Sequence, residues 1–238
     1  MYYQIKGLVL EARVNGEADK TATVYSYQWG KIYLQFAGAK KINAKLAAAA
    51  EPLTESEFLV CQKHPNVRPK AVGAKIINNH SEIKSNFKKN LYALYASEIS
   101  AKLTPNNVEN VQKYLLISRI WEVLQTSKSP KLALSAFVLR FLKLSGYGFG
   151  DFLKQNAGFL SPADQNEINQ LGRCSGNDID DLNLDGEKIW KYIETYLLNY
   201  INRPRVGVFI EKLGNERERK GKKGEQKGTT GNDHGERP

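Results

Sequence analysis

The 238-residue chain is 41% hydrophobic and 25% charged, ordinary proportions for a globular protein with room for one large core or two smaller ones. It carries 35 Lys and Arg against 25 Asp and Glu, a net charge of +10, and only two cysteines, Cys61 and Cys174. This composition excludes a disulfide-rich scaffold and, with no apolar run near ~18 residues, a membrane-spanning helix.

The excess of cations points to a polyanion or an acidic partner, with plain solubility charge as the competing reading. The two cysteines fit a reducing cytoplasm. Met1 to Gly7 lacks a basic segment followed by an apolar stretch, so it is not read as a signal peptide.

The first third of the chain reads as β-structure. Five short runs rich in aromatic and β-branched residues are separated by turn residues: Tyr2 to Ala12, Lys20 to Tyr27, Lys31 to Ala37, Pro52 to Gln62, and Val67 to Asn78. The third alternates cleanly, with Ile32, Leu34 and Phe36 on one face and Tyr33 and Gln35 on the other. Five short strands suit a small closed barrel, which removes exposed edges. Between the third and fourth runs, Ala47 to Ala50 favour a short helix that plugs one barrel end.

After Ser81 the spacing becomes helical. Glu82 to Leu103 places Phe87, Leu91, Leu94, Tyr95 and Ile99 at three- and four-residue steps. Val108 to Gln125 repeats this with Val111, Leu115, Ile120 and Leu124. A third helix has Ser129 as N-cap, Pro130 at its first position and Gly146 beyond its last turn. A fourth begins near Asp185. Residues 147–184 mix Gly, Asn and Asp with a weak helical pattern around Asp164 to Leu171. Residues 215–238 hold no aliphatic or aromatic side chain and read as disordered. The fold class expected is α+β: a five-stranded OB-fold barrel (1–81), an α-helical domain (82–214) and a tail (215–238).

Residues 1–81 hold 11 Lys and Arg against 6 Asp and Glu, so half of the net charge sits in the first third of the chain. Lys31, Lys40, Lys41 and Lys45 cluster around one strand end, and Lys63, His64, Arg68, Lys70 and Lys75 around another. Loop lysines can neutralise phosphates, and exposed aromatics can stack on unpaired bases. Tyr25, Tyr27, Trp29 and Tyr33 are the aromatic candidates. Period two assigns some of them to the core, leaving Trp29 or Tyr33 for the surface.

The residues that catalysis would need are not concentrated anywhere. No H-E-x-x-H, paired C-x-x-C or phosphate-binding P-loop occurs. Gly146-Tyr147-Gly148-Phe149-Gly150 follows a helix and lacks dinucleotide spacing. Asp178, Asp180, Asp181 and Asp185 lack EF-hand spacing and read better as helix-terminal acids. The chain is therefore read as non-enzymatic, with no cofactor and no metal.

Several segments also occur in a specific order: Gly16-Glu17-Ala18-Asp19-Lys20, Gly30-Lys31-Ile32, Ala37-Gly38-Ala39-Lys40-Lys41, Lys45-Leu46, Pro52-Leu53, and Phe137 through Tyr147. Together they resemble the bacterial recombination mediator RecO family, from residue 1 to about Leu213. The resemblance implies an N-terminal OB fold and a helical domain that bind single- and double-stranded DNA and anneal complementary strands. It implies RecR and the acidic C-terminal tail of single-strand-binding protein as partners, and help in loading RecA during RecF-pathway repair. It also implies a bacterial, nucleoid-associated protein.

On this reading the DNA-binding candidates are Arg13, Lys20, Trp29, Lys31, Lys40, Lys41, Lys45, Arg68 and Lys70. The acidic tail would bind around Lys131, Leu134, Arg140 and Lys143. Many members of the family carry a four-cysteine zinc site after the Gly-Tyr segment. Here that region offers only Cys174, so a loop or helix is expected in its place. An OB-fold RNA-binding protein and a non-catalytic interaction scaffold remain the alternatives.

Overall fold

The computed structural model describes residues 1–39, 46–64, 66–155, 160–176, 178–202 and 204–207. Lys40, Lys41, Lys45 and the tail 215–238 lie outside the described residues.

Alternation of apolar and polar residues produces five strands: β1 (Tyr2–Asn15), β2 (Asp19–Ser26), β3 (Gly30–Phe36), β4 (Thr54–Cys61) and β5 (Lys70–Asn78). They close into a barrel in the order β1-β2-β3-β5-β4, with β1 antiparallel to β4. Closure depends on a short parallel contact, Gln35 with Lys70 and Phe36 with Ala71. This is the OB arrangement. The expected plug is one 3₁₀ turn, Ala48–Ala50, with Ala49 and Ala50 buried against the barrel interior.

The barrel interior contains Ile5, Val9, Val24, Ile32, Leu34, Phe36 and Phe58. The opposite face of β1 is apolar too. Leu8 and Leu10, with Tyr25 and Leu53, belong to the core of the helical part. The helices are α1 (Ser81–Ser85), α2 (Phe87–Leu103), α3 (Val111–Thr126), α4 (Pro130–Leu144), α5 (Phe149–Gln155), α6 (Pro162–Arg173) and α7 (Gly186–Leu197). The central one is α4, packed by α2, α3, α6 and α7 and buried along most of its length.

The helix expected from Glu82 to Leu103 is interrupted at Asn86. Its backbone leaves the helical region (φ −100°, ψ 106°), and its side chain accepts from the Lys89 N–H at 3.1 Å as the N-cap of α2. The cap of α4 also differs from expectation. The Ser129 side chain caps nothing, whereas the Asp180 carboxylate accepts from the Lys128 and Ser129 N–H groups and from the Ser127 hydroxyl. Asp185 caps α7 through Glu187 and Lys188 N–H groups. Two of the acids in that run are therefore occupied at helix ends. Residues 147–184, which the sequence left open, hold α5, α6 and a 3₁₀ turn, Asp178–Asp181.

Gly30 fixes how closely the two parts approach. It has φ +65°, and a Cβ there would lie 2.0 Å from the Val108 carbonyl oxygen. Only glycine accepts both conditions. Both cysteines are free thiols, and among the described residues no helix is long and apolar enough to cross a membrane.

Candidate nucleic-acid interface

An open groove of about 720 Å³ runs along the outside of the barrel. The β2–β3 turn and β3 supply Gln28, Trp29 and Tyr33; the β4–β5 connection supplies Gln62, Asn66 and Arg68; the α2–α3 loop supplies Asn107 and Glu109. Strand alternation sets the aromatic exposure. Ile32 and Leu34 point inward, so Tyr33 points out and is 43% exposed. The Arg68 guanidinium sits 5.9 Å from the Tyr33 ring centroid. Trp29 is half-buried and packs edge-on against Tyr3 at 5.1 Å. Gln62 holds the β4–β5 connection by donating to the Val67 carbonyl at 2.9 Å. A ring face flanked by a guanidinium and amide side chains can receive an unpaired base.

The barrel cations divide by what they already touch. Lys6 pairs with Glu55 at 2.9 Å, Arg13 with Glu11 at 3.2 Å, and Lys20 with Glu51 at 2.5 Å. Lys63, Arg68, Lys70 and Lys75 are exposed and form no ion pair among the described residues. Lys63, Arg68 and Lys70 lie on the β4–β5 connection and at the start of β5, at or next to groove-lining residues, whereas Lys75 lies further along β5 in register with Glu57. Lys63 and Lys75 were legible as part of a charged cluster but were not among the candidate contacts. Glu109 lines the same groove as Arg68, so the groove holds one charge of each sign.

Lys31 requires a correction. Its side chain was expected to meet phosphate, but the residue is 8% exposed and its ammonium donates to the Ala101 carbonyl at 2.6 Å, at the end of α2. Burial lowers its pKa, partly offset by Glu11. The reason is its register opposite Tyr25, on the barrel face that the helical domain covers. Tyr25 is likewise internal. Its hydroxyl donates to the Asn110 carbonyl at 3.2 Å, and burial pushes its pKa up to about 12.

The four residues expected to receive an acidic peptide do not form one surface. Leu134 is fully buried in the helical core. Lys131 is paired with Glu187. Arg140 donates to the carbonyls of Leu171, Gly172 and Cys174, closing the C-terminal end of α6. Lys143 alone is exposed with no ion pair among the described residues. The central position of α4 accounts for this, since its apolar and basic side chains are already used by neighbouring helices.

A closed five-stranded OB barrel with an aromatic groove, joined to a helical domain, belongs to the OB-fold class of architecture, whose members bind oligonucleotides or oligosaccharides. A family profile described as Recombination protein O N terminal matches residues 1–67, and one described as Recombination protein O C terminal matches residues 84–149, together more than half of the chain. The chain belongs to the recombination protein O (RecO) family. Its relatives include proteins named DNA repair protein RecO. The one from Halalkalibacterium halodurans is 23% identical over 146 residues, which cover 61% of this chain and 57% of that protein. The one from Pelotomaculum thermopropionicum is 28% identical over 146 residues, 61% of this chain and 56% of that protein. That from Bacillus mycoides is 25% identical over 146 residues, 61% and 58% respectively. The match thus spans less than two thirds of the length of each relative.

Proposed function

We propose that this protein is a non-catalytic DNA repair mediator that binds single-stranded DNA in the Trp29–Tyr33–Arg68 groove. The observation that carries the reading is the conjunction of the exposed Tyr33 ring under Arg68 with the rim cations Lys63 and Lys70, which form no ion pair among the described residues. The ring supplies sequence-tolerant stacking and the rim supplies phosphate neutralisation with counterion release. In keeping with its family, the protein anneals complementary strands, binds duplex as well as single strands, and acts with RecR to load RecA on strands coated with single-strand-binding protein. The domain division used for this reading is 1–81 for the barrel and 82–214 for the helices. Of the residues first considered for the acidic tail of single-strand-binding protein, Lys143 is the one offered for an encounter with it.

Fluorescence anisotropy with a labelled single-stranded oligonucleotide, repeated at several salt concentrations, tests the groove. Tyr33→Ala should weaken binding by roughly 5- to 150-fold, the loss of one base–aromatic stack. Unchanged affinity for both Tyr33→Ala and Arg68→Glu would overturn the placement. A competing RNA strand that displaces DNA at lower concentration would favour the RNA-binding alternative.

A further inference from the structure

The α2–α3 loop reaches the groove from the helical part, and the barrel holds it on both sides of Glu109. The Asn107 N–H donates to the Lys31 carbonyl at 2.9 Å. A Cβ on Gly30 would lie 2.0 Å from the Val108 carbonyl oxygen and 3.1 Å from the Glu109 nitrogen, so the loop backbone rests directly on β3. The Asn110 carbonyl accepts from the Tyr25 hydroxyl at 3.2 Å, and the Asn110 side chain caps α3 by accepting from the Lys113 N–H at 3.0 Å. The backbone at position 109 is therefore pinned. The residue is nonetheless exposed and forms no hydrogen bond or ion pair among the described residues. Among the described residues that line the groove, Glu109 is the one acid and Arg68 the one cation.

An acid in this place works against phosphate binding, which a groove built only to neutralise phosphate would avoid. A carboxylate only accepts, through two oxygens side by side, so what it matches best is a pair of adjacent N–H donors. Unpaired bases expose their Watson–Crick edges to such contacts. Guanine alone among the DNA bases carries two adjacent donors there, N1–H and the N2 amine. Cytosine and adenine set one amine beside an acceptor nitrogen, and thymine sets one N–H between two carbonyls. The opposite edge of guanine, O6 and N7, accepts from an arginine, and the Arg68 guanidinium stands 5.9 Å from the Tyr33 ring centroid.

We propose that the groove selects guanine at one position of a bound single strand, with the base stacked on Tyr33 and the Glu109 carboxylate accepting from its N1–H and N2 amine. This inference rests on the single-strand reading of the groove and names the base that the groove prefers. Stacking on Tyr33 serves any base; Glu109 adds the discrimination.

Fluorescence anisotropy with labelled thymidine oligonucleotides tests it, one strand carrying a single central guanine and others carrying hypoxanthine, adenine or thymine in its place. The unmodified protein should bind the guanine strand roughly 5-fold or more tightly than the thymine strand, the low end for a bidentate base contact. Hypoxanthine, which lacks the N2 amine, should fall between. Glu109→Ala should abolish the preference, and Glu109→Gln, with one acceptor oxygen, should lose most of it. Both should bind the thymine strand as well as or better than the unmodified protein, since a negative charge has left the groove; that binding also reports that they are folded. Equal affinity for all strands in the unmodified protein overturns the proposal, and so does a guanine preference undiminished in both variants. Tyr33→Ala separates the two readings. If it weakens every strand and no guanine preference exists, the groove stands and the base selection falls. If it weakens none, the groove reading falls and takes the base selection with it.

Discussion

The Tyr114 hydroxyl, on α3, donates a 3.0 Å hydrogen bond to the Glu55 carboxylate, on β4. The same carboxylate pairs with Lys6 of β1 at 2.9 Å, and the Lys6 ammonium lies 5.9 Å from the Tyr114 ring centroid. Three elements thus meet on one buried acid. Burial, then the charge of Glu55, raises the Tyr114 pKa well above the ordinary phenol range, so the hydroxyl stays a donor at any physiological pH. Tyr114→Phe should cost about 1.5–3 kcal/mol, the range for a hydrogen bond to a charged group. Urea unfolding of the two proteins gives the difference directly.

Acid should destabilise the protein in two stages. His80 is 1% exposed, and burial lowers its pKa from the ordinary 6.5, an effect that Glu55 opposes and Lys84 reinforces. Its depressed folded pKa contributes stability that is present above about pH 6.5 and is lost as pH falls through the folded value. Glu98 follows. Burial alone would raise its carboxyl, but hydrogen bonds from the Arg205 and Val206 N–H groups and from Lys102 hold it below the ordinary 4.5. Its contribution is present above about pH 4.5 and is lost as pH falls below that. Unfolding free energy measured against pH should therefore decline first below pH 6.5 and more steeply below 4.5. His80→Asn should remove the first decline and keep the second, since Asn tolerates the left-handed backbone found there (φ 46°).

Gly30→Ala should be among the most damaging single-methyl changes in the chain. It combines a left-handed backbone with a clash against the Val108 carbonyl oxygen at 2.0 Å. A loss on the order of 2–3 kcal/mol is expected from strain of this kind. Gly16→Ala is the control, with φ +69° but nothing within 4 Å of the added methyl. Denaturation midpoints should fall further for position 30 than for position 16.

Charge reversal at two basic positions should separate a free cation from a paired one. Lys70→Glu removes an exposed ammonium with no ion pair among the described residues, and should lower both DNA affinity and the slope of log K against log salt, the slope by about 1. Lys20→Glu breaks an existing pair with Glu51 and should change DNA binding less. Equal effects from both would mean that the barrel's field acts as a whole, without a local track.

The barrel was legible because its signal is local. Period two in β3 alone placed Ile32, Leu34 and Phe36 inward and Tyr33 outward, as the structure has them. The helices were legible as segments but less so in rotation. In α3 the sequence suggests Val111, Leu115, Ile120 and Leu124 for the core; Ile120 and Leu124 do face inward, with Tyr114, Ile117 and Trp121 beside them, but Leu115 is 56% exposed. A helix with apolar residues on two overlapping three- and four-residue ladders does not say which ladder is buried.

The candidate site was legible in Trp29, Tyr33 and Arg68. Lys31 was misread because only the tertiary fold reveals that its barrel face is covered. Lys131, Leu134 and Arg140 were misread for the same reason: neighbouring helices enclose α4 from sequence-distant positions.

The groove draws its walls from both parts of the molecule, with Tyr33 and Arg68 from the barrel and Asn107 and Glu109 from the α2–α3 loop. Those parts are joined by the shared packing of Leu8, Leu10, Tyr25 and Leu53 and by the Gly30–Val108 approach. On the proposed single-strand reading, this shared packing holds the two walls together, and a strand seated between them leaves base by base through the open side, so that a second strand begins pairing with the freed bases before the first has fully departed.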